Sequence, residues 1–133
     1  MTQNPDLFNA VLCDVPLLDM LRFHKLLAGA SWIGEYGDPD IPEERAFIEQ
    51  YSPYQNVSSE QEYPRILFYT STKDDRVHPG HARKMAARMK EQGHKPLFYE
   101  NMEGGHGRGA NMTQHALHAA MQYTYLWRQL GRN

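Results

Sequence analysis

Two short loops concentrate the residue types that acid–base chemistry needs. The first reads Ser71-Thr72-Lys73-Asp74-Asp75-Arg76-Val77 and the second Glu103-Gly104-Gly105-His106-Gly107-Arg108-Gly109. A carboxylate bonded to one imidazole nitrogen fixes the tautomer and orientation of the ring, and the other nitrogen can then take a proton from a nucleophile. A carboxylate of the Asp74-Asp75 pair and His106 have the chemistry for such a pairing, and the glycines around His106 let its loop reach positive φ and keep the ring accessible. On spacing alone a second reading stands beside this one: a turn with a solvated carboxylate pair, and a polar loop histidine.

The nucleophile is the part that does not show. In α/β-hydrolases the chain order is serine, acid, histidine, and the serine sits in a G-x-S-x-G elbow between a strand and a helix. No such pentapeptide occurs in the 133 residues, and Ser31, Ser52, Ser58, Ser59 and Ser71 all lack the glycine flanks. Ser71 precedes the acid by only a few residues and reads as a strand-end hydroxyl. Cys13 closes the apolar run Ala10-Val11-Leu12-Cys13 and is followed by Asp14-Val15-Pro16. It reads as a small buried hydrophobe, and a single cysteine cannot form an internal disulfide. The histidines at 24, 78, 81, 94, 115 and 118 read as surface or helix-flank residues. His115 and His118 have the i, i+3 spacing of a metal pair but no third ligand in view, so neither metal nor cofactor is expected.

These loops need elements to hold them. Residues 9–13, 66–70 and 97–100 are nearly continuous apolar or aromatic runs, the pattern of parallel strands buried on both faces. Between the second and third, Ala82, Met85, Ala86 and Met89 form one stripe of a helix that Gly93 stops. After the third, Met112, Ala116, Ala119, Ala120, Tyr123, Trp127 and Leu130 predict a long helix ending before Gly131. Residues 17–27 and 42–51 are expected as helices, the latter opened by Pro42, and 52–64 as a long polar connection. The order predicts an α/β layer of three parallel strands with right-handed crossovers. Ligands in such sheets bind beyond the carboxyl ends of the strands, where both loops lie.

Hydrophobic residues at 41%, charged residues at 23% and a net charge of -2 describe an ordinary globular composition with no basic face for nucleic acid. One compact unit is the expectation for this length. No run approaches the roughly 18 apolar residues of a membrane span, and the N-terminus lacks the pattern of a signal peptide. The chain is therefore expected to be cytoplasmic, with a periplasmic whole protein left open.

Several motifs taken in order carry a resemblance. TSTKDDRVHPGHARKMAARM and NMEGGHGRG, preceded by NPDLFNAVLCDVPLLDMLRFHK, GASWIGEYGDP and YSPYQNV, resemble the prolyl oligopeptidase family of serine peptidases over nearly the whole chain. The resemblance implies the C-terminal part of an α/β-hydrolase fold, with residues 1–133 as a partial peptidase domain. It implies Asp74 as catalytic aspartate, His106 as catalytic base, Arg76 as a donor to a substrate carbonyl and Trp32 as a ring stacking on the substrate proline. Read without the family, Arg76 is a surface cation beside Asp75 and Trp32 a core aromatic. It further implies that the serine elbow, the oxyanion donors and the propeller precede this stretch, so the isolated chain is expected to be inactive. The whole protein would cleave short peptides by a Ser-Asp-His mechanism. Two other readings are a non-catalytic assembly or binding module and a small esterase using Ser71 or Cys13. A thin sheet with an exposed edge also predicts a homo-oligomer formed across that edge.

Overall fold

A computed structural model describes residues 1–107 and 109–131; Arg108 of the histidine loop lies outside the described residues. Three strands, β1 (Leu12–Asp14), β2 (Leu67–Ser71) and β3 (Leu97–Asn101), form one parallel sheet in the order β1-β2-β3. Leu12 pairs with Leu67 and Leu67 with Leu97, and the register continues to Asp14, Tyr69 and Tyr99. Parallel pairing requires crossovers. The first contains short helices α1 (Ile33–Tyr36) and α3 (Pro53–Asn56) around α2 (Pro42–Tyr51), the second contains α4 (Gly80–Glu91), and α5 (Met112–Leu130) follows β3. None of the described helices is long and apolar enough to cross a membrane.

β2 is central, and its residues Phe68 to Ser71 are all buried. On one face Met85 and Met89 of α4 pack with Phe68, Ile66, Leu18 and Val57. That is the face expected from the helical stripe 82, 85, 86 and 89. On the other face α5 buries His118 and Tyr125, and the His118 ring lies 4.0 Å from that of Tyr69. The Tyr125 hydroxyl accepts the N–H of Val11 (2.8 Å) and donates to the carbonyl of Arg65, joining the last helix to the entrances of β1 and β2. A second cluster, Met20, Leu21, Phe23 and Ile48, sits under the first crossover.

Residues 17–27 do not form the expected α-helix. They run as turns into a 3-10 turn at Phe23–Lys25, followed by a 3-10 segment at Leu27–Trp32. The reason is where the backbone donors go: the N–H of Asp19 binds His81 Nδ1 (3.1 Å) and that of Met20 binds Ser52 Oγ (3.0 Å), so neither is left for a helical ladder. The first strand also begins later than expected, at Leu12. Part of the polar connection at 52–64 is helical, as α3.

The reading of the outlying histidines as surface residues is corrected in three places. His81 and His118 are buried, and the side chain of His24 is almost fully enclosed. Each has found a polar neighbour far off in sequence: His81 the backbone of Asp19, His118 the carboxylate of Asp14 (3.3 Å), His24 that of Asp40 (3.2 Å). Burying an imidazole is tolerable when a ring nitrogen is met in this way, as at His81 and His118; the His24 nitrogens make no hydrogen bond among the described residues, and the ring has only its ion-pair contact with Asp40.

Candidate active site

Asp74 lies in the turn that leaves β2. Its N–H donates to the carbonyl of Ser71 (3.2 Å), and its own Oδ1 accepts the N–H groups of Arg76 and Val77, both at 2.9 Å. An aspartate that accepts from the backbone two and three residues onward closes a tight turn and cannot swing away from it. The carboxylate is thus fixed at the carboxyl end of the central strand, with the residue only 4% exposed.

The loop after β3 brings His106 onto that carboxylate. Its Nδ1 stands 3.0 Å from Asp74 Oδ2 and 3.1 Å from Oδ1, and the ring is 30% exposed. With the proton on Nδ1, the ring donates to Asp74 and presents Nε2, which makes no hydrogen bond among the described residues. Parallel neighbours β2 and β3 place their carboxyl ends side by side, and this is why residues 32 positions apart meet. The geometry allows Nε2 to accept a proton from a hydroxyl brought to it.

The other two sequence candidates are placed differently. Arg76 belongs to the same turn through its N–H, while its side chain is exposed and forms no ion pair with Asp75 among the described residues. Trp32 ends the 3-10 segment, is half-buried, and packs against the cluster of Met20, Leu21, Phe23 and Ile48. No hydrogen bond or ring contact joins it to Asp74 or His106 among the described residues.

Neither improvised nucleophile has a favourable setting. Ser71 is fully buried, and its Oγ has no hydrogen-bond partner among the described residues, so it is not bonded to His106. The Cys13 thiol is pushed up to about 11 by burial and by the neighbouring charge of Asp14. A reactive thiol requires the opposite shift. As for a metal, His24, Asp38 and Asp40 bring ligand atoms within 4.8 Å of one another, but the Lys25 ammonium already sits 2.8 Å from Asp40 Oδ1. Sequence reading passed over Asn101 and Gln114, which lie at the base of the histidine loop; amides at a strand end and in a first helical turn carry no signal in one sequence.

The family model for the prolyl oligopeptidase family matches residues 1–133. An uncharacterized peptidase of Sinorhizobium fredii is 53% identical over 133 residues, covering 100% of this chain and 18% of the relative. A second uncharacterized peptidase, from Rickettsia prowazekii, is 40% identical over 126 residues, 94% of this chain and 18% of the relative. Among solved structures, a post-proline cleaving enzyme from Rickettsia typhi superposes with a TM-score of 0.95 at 41% identity, over 98% of this chain and 19% of that one. One from a study of two prolyl endopeptidases gives 0.88 at 39% identity, over 100% and 20%. The chain therefore spans about a fifth of the length of the proteins it matches. Its three parallel strands and flanking helices are the corresponding part of their α/β-hydrolase domain. With the match running from the first residue to the last, and with fold and sequence in agreement, the chain belongs to the prolyl oligopeptidase family.

Proposed function

We propose that this chain supplies the acid and the base of a peptide-hydrolysing Ser-Asp-His site whose serine lies in sequence outside residues 1–133. The observation that carries the reading is the hydrogen bond from the His106 ring to a buried, turn-locked Asp74 carboxylate, 3.0 Å long, with the other ring nitrogen left open. In the whole protein the serine hydroxyl attacks the peptide carbonyl while His106 Nε2 takes its proton. The same nitrogen returns the proton to the leaving amine as the acyl-enzyme forms, and water repeats the sequence to release the acid. Asp74 holds the ring and stabilises the imidazolium.

Relatives act on peptides: one neighbour is a prolyl oligopeptidase B from Galerina marginata bound to a 35mer hydrolysis and macrocyclization substrate. Here the exposed Arg76 side chain would donate to a substrate carbonyl. Trp32, half-buried against the core cluster, would stack on the proline. The test joins residues 1–133 to the upstream sequence of a prolyl oligopeptidase relative that carries a G-x-S-x-G elbow, and follows a chromogenic proline peptide. Turnover by the joined protein is expected, with a fall of roughly 10,000-fold or more in kcat on His106→Ala and on Asp74→Asn. The unjoined chain should be silent with that peptide and with a p-nitrophenyl ester. Ester turnover that survives in the unjoined chain and disappears with Ser71→Ala or Cys13→Ala would instead establish the small-esterase reading.

We also propose that the isolated chain associates with itself. β1 pairs only with β2 among the described residues, so its outer edge presents free backbone groups to a second copy.

A further inference from the structure

The loop that carries His106 hangs at both ends from one pair of side-chain amides. Asn101, the last residue of β3 and 7% exposed, accepts at Oδ1 the N–H groups of Glu103 (3.0 Å) and Gly104 (3.2 Å), just ahead of the histidine. Its Nδ2 donates to the Tyr69 hydroxyl oxygen (3.3 Å) and to Gln114 Oε1 (3.1 Å). Gln114, in the first turn of α5, accepts at that same Oε1 the N–H of Ala110 (2.7 Å), beyond the histidine, while its Nε2 donates to the Glu103 carboxylate (2.6 Å). The contact is close: a Cβ on Gly109 would stand 2.9 Å from Gln114 Cβ.

The network fixes both amides in one sense. Asn101 faces two N–H groups with its oxygen, so its nitrogen must face Tyr69 and Gln114; Gln114 receives two donors on its oxygen, so its nitrogen must face Glu103. Turning either amide over would set donor against donor. Fixing a stretch of loop backbone costs conformational entropy at every residue, and one contact between a part-exposed ring and a carboxylate offsets little of it. Something besides Asp74 must hold the loop.

We infer that the Asn101–Gln114 amide pair is a clasp that positions His106, keeping its Nδ1 on the Asp74 carboxylate. The inference rests on the reading of Asp74 and His106 as the acid–base pair. Neither amide touches the ring, and both are positioning residues. Because amides do not titrate, the clasp keeps its grip when His106 gains or loses a proton, and the ring can cycle between states without the loop opening.

The test is proton NMR on the 133-residue chain itself, reading the His106 Nδ1 proton and its exchange with water. In the wild type a downfield, slowly exchanging Nδ1 proton is expected. Gln114→Ala, which keeps a good helix former in α5, should accelerate that exchange at least tenfold while the backbone amides of β2 and α4 keep their protection. Asn101→Asp retains the acceptor for Glu103 and Gly104 but loses the donor to Gln114. It should loosen the ring in the same way, and it decides the matter if Gln114→Ala disturbs α5. An Nδ1 proton that exchanges equally slowly in wild type and both variants overturns the clasp and leaves the acid–base pair standing. A wild type with no bonded Nδ1 proton overturns the pair and the clasp together.

Discussion

Two histidines show how one side chain is put to opposite uses. His106 keeps part of its ring in solvent and one nitrogen on a carboxylate. His81 is 2% exposed, and its Nδ1 accepts the N–H of Asp19. Burial penalises the His81 cation most, and the Asp19 carboxylate offsets this only in part, so the group is pushed down to about 4 from its ordinary value of 6.5. Folded His81 therefore stays neutral where the unfolded chain binds a proton. Its contribution to stability is complete above pH 6.5 and is lost as pH falls toward about 4. Between pH 7 and pH 4.5 the loss should be on the order of 2–3 kcal/mol. Urea unfolding should show it in the wild type and show a flatter dependence in His81→Gln, which keeps an acceptor that does not titrate. None of this was legible in the sequence. His81 looks like a helix-flank residue beside Gly80, and its partner lies 62 positions away. Asp74 and His106 were legible as neighbours because each follows a strand that reads clearly as a strand.

At the scale of elements, legibility followed where the backbone hydrogen bonds go. α2, α4 and α5 satisfy their own N–H groups, and the apolar stripes of α4 and α5 give them away. The stretch from Leu17 to Trp32 has similar composition, yet its shape is imposed by distant side chains, Ser52 and His81, which no local pattern announces. Its turn is also tighter than a helix. A Cβ on Gly29 would stand 1.8 Å from the Phe23 carbonyl oxygen, so the 3-10 segment that presents Trp32 lies directly on the preceding turn. Gly29→Ala should force the two apart at a cost of about 1–3 kcal/mol or more. Urea unfolding should record this as a lower midpoint with an unchanged slope. A midpoint that stays put would mean that this turn yields freely.

For the whole molecule, the parallel direction of the three strands followed from the alternation of apolar runs with helical stripes. What the sequence could not supply was the reach of α5 back across the sheet. Besides the outer edge of β1, the chain carries exposed apolar groups, among them Leu7 at 73% and Trp127 at 76% exposure. Association should appear as a mass above the monomer by light scattering at micromolar concentration, and as a melting temperature that climbs with protein concentration. A monomer whose melting temperature ignores concentration would remove the proposed pairing. The Tyr125 hydroxyl sets a further condition on how the protein comes into being. It holds the N–H of Val11 and the carbonyl of Arg65 together, so the entrance to the first strand is completed by a residue synthesised 114 positions later. A nascent chain that has emerged only as far as β3 can pair its strands but cannot close that seam. Closure of that seam therefore waits for α5, and the strand entrances are open to mispairing until it arrives.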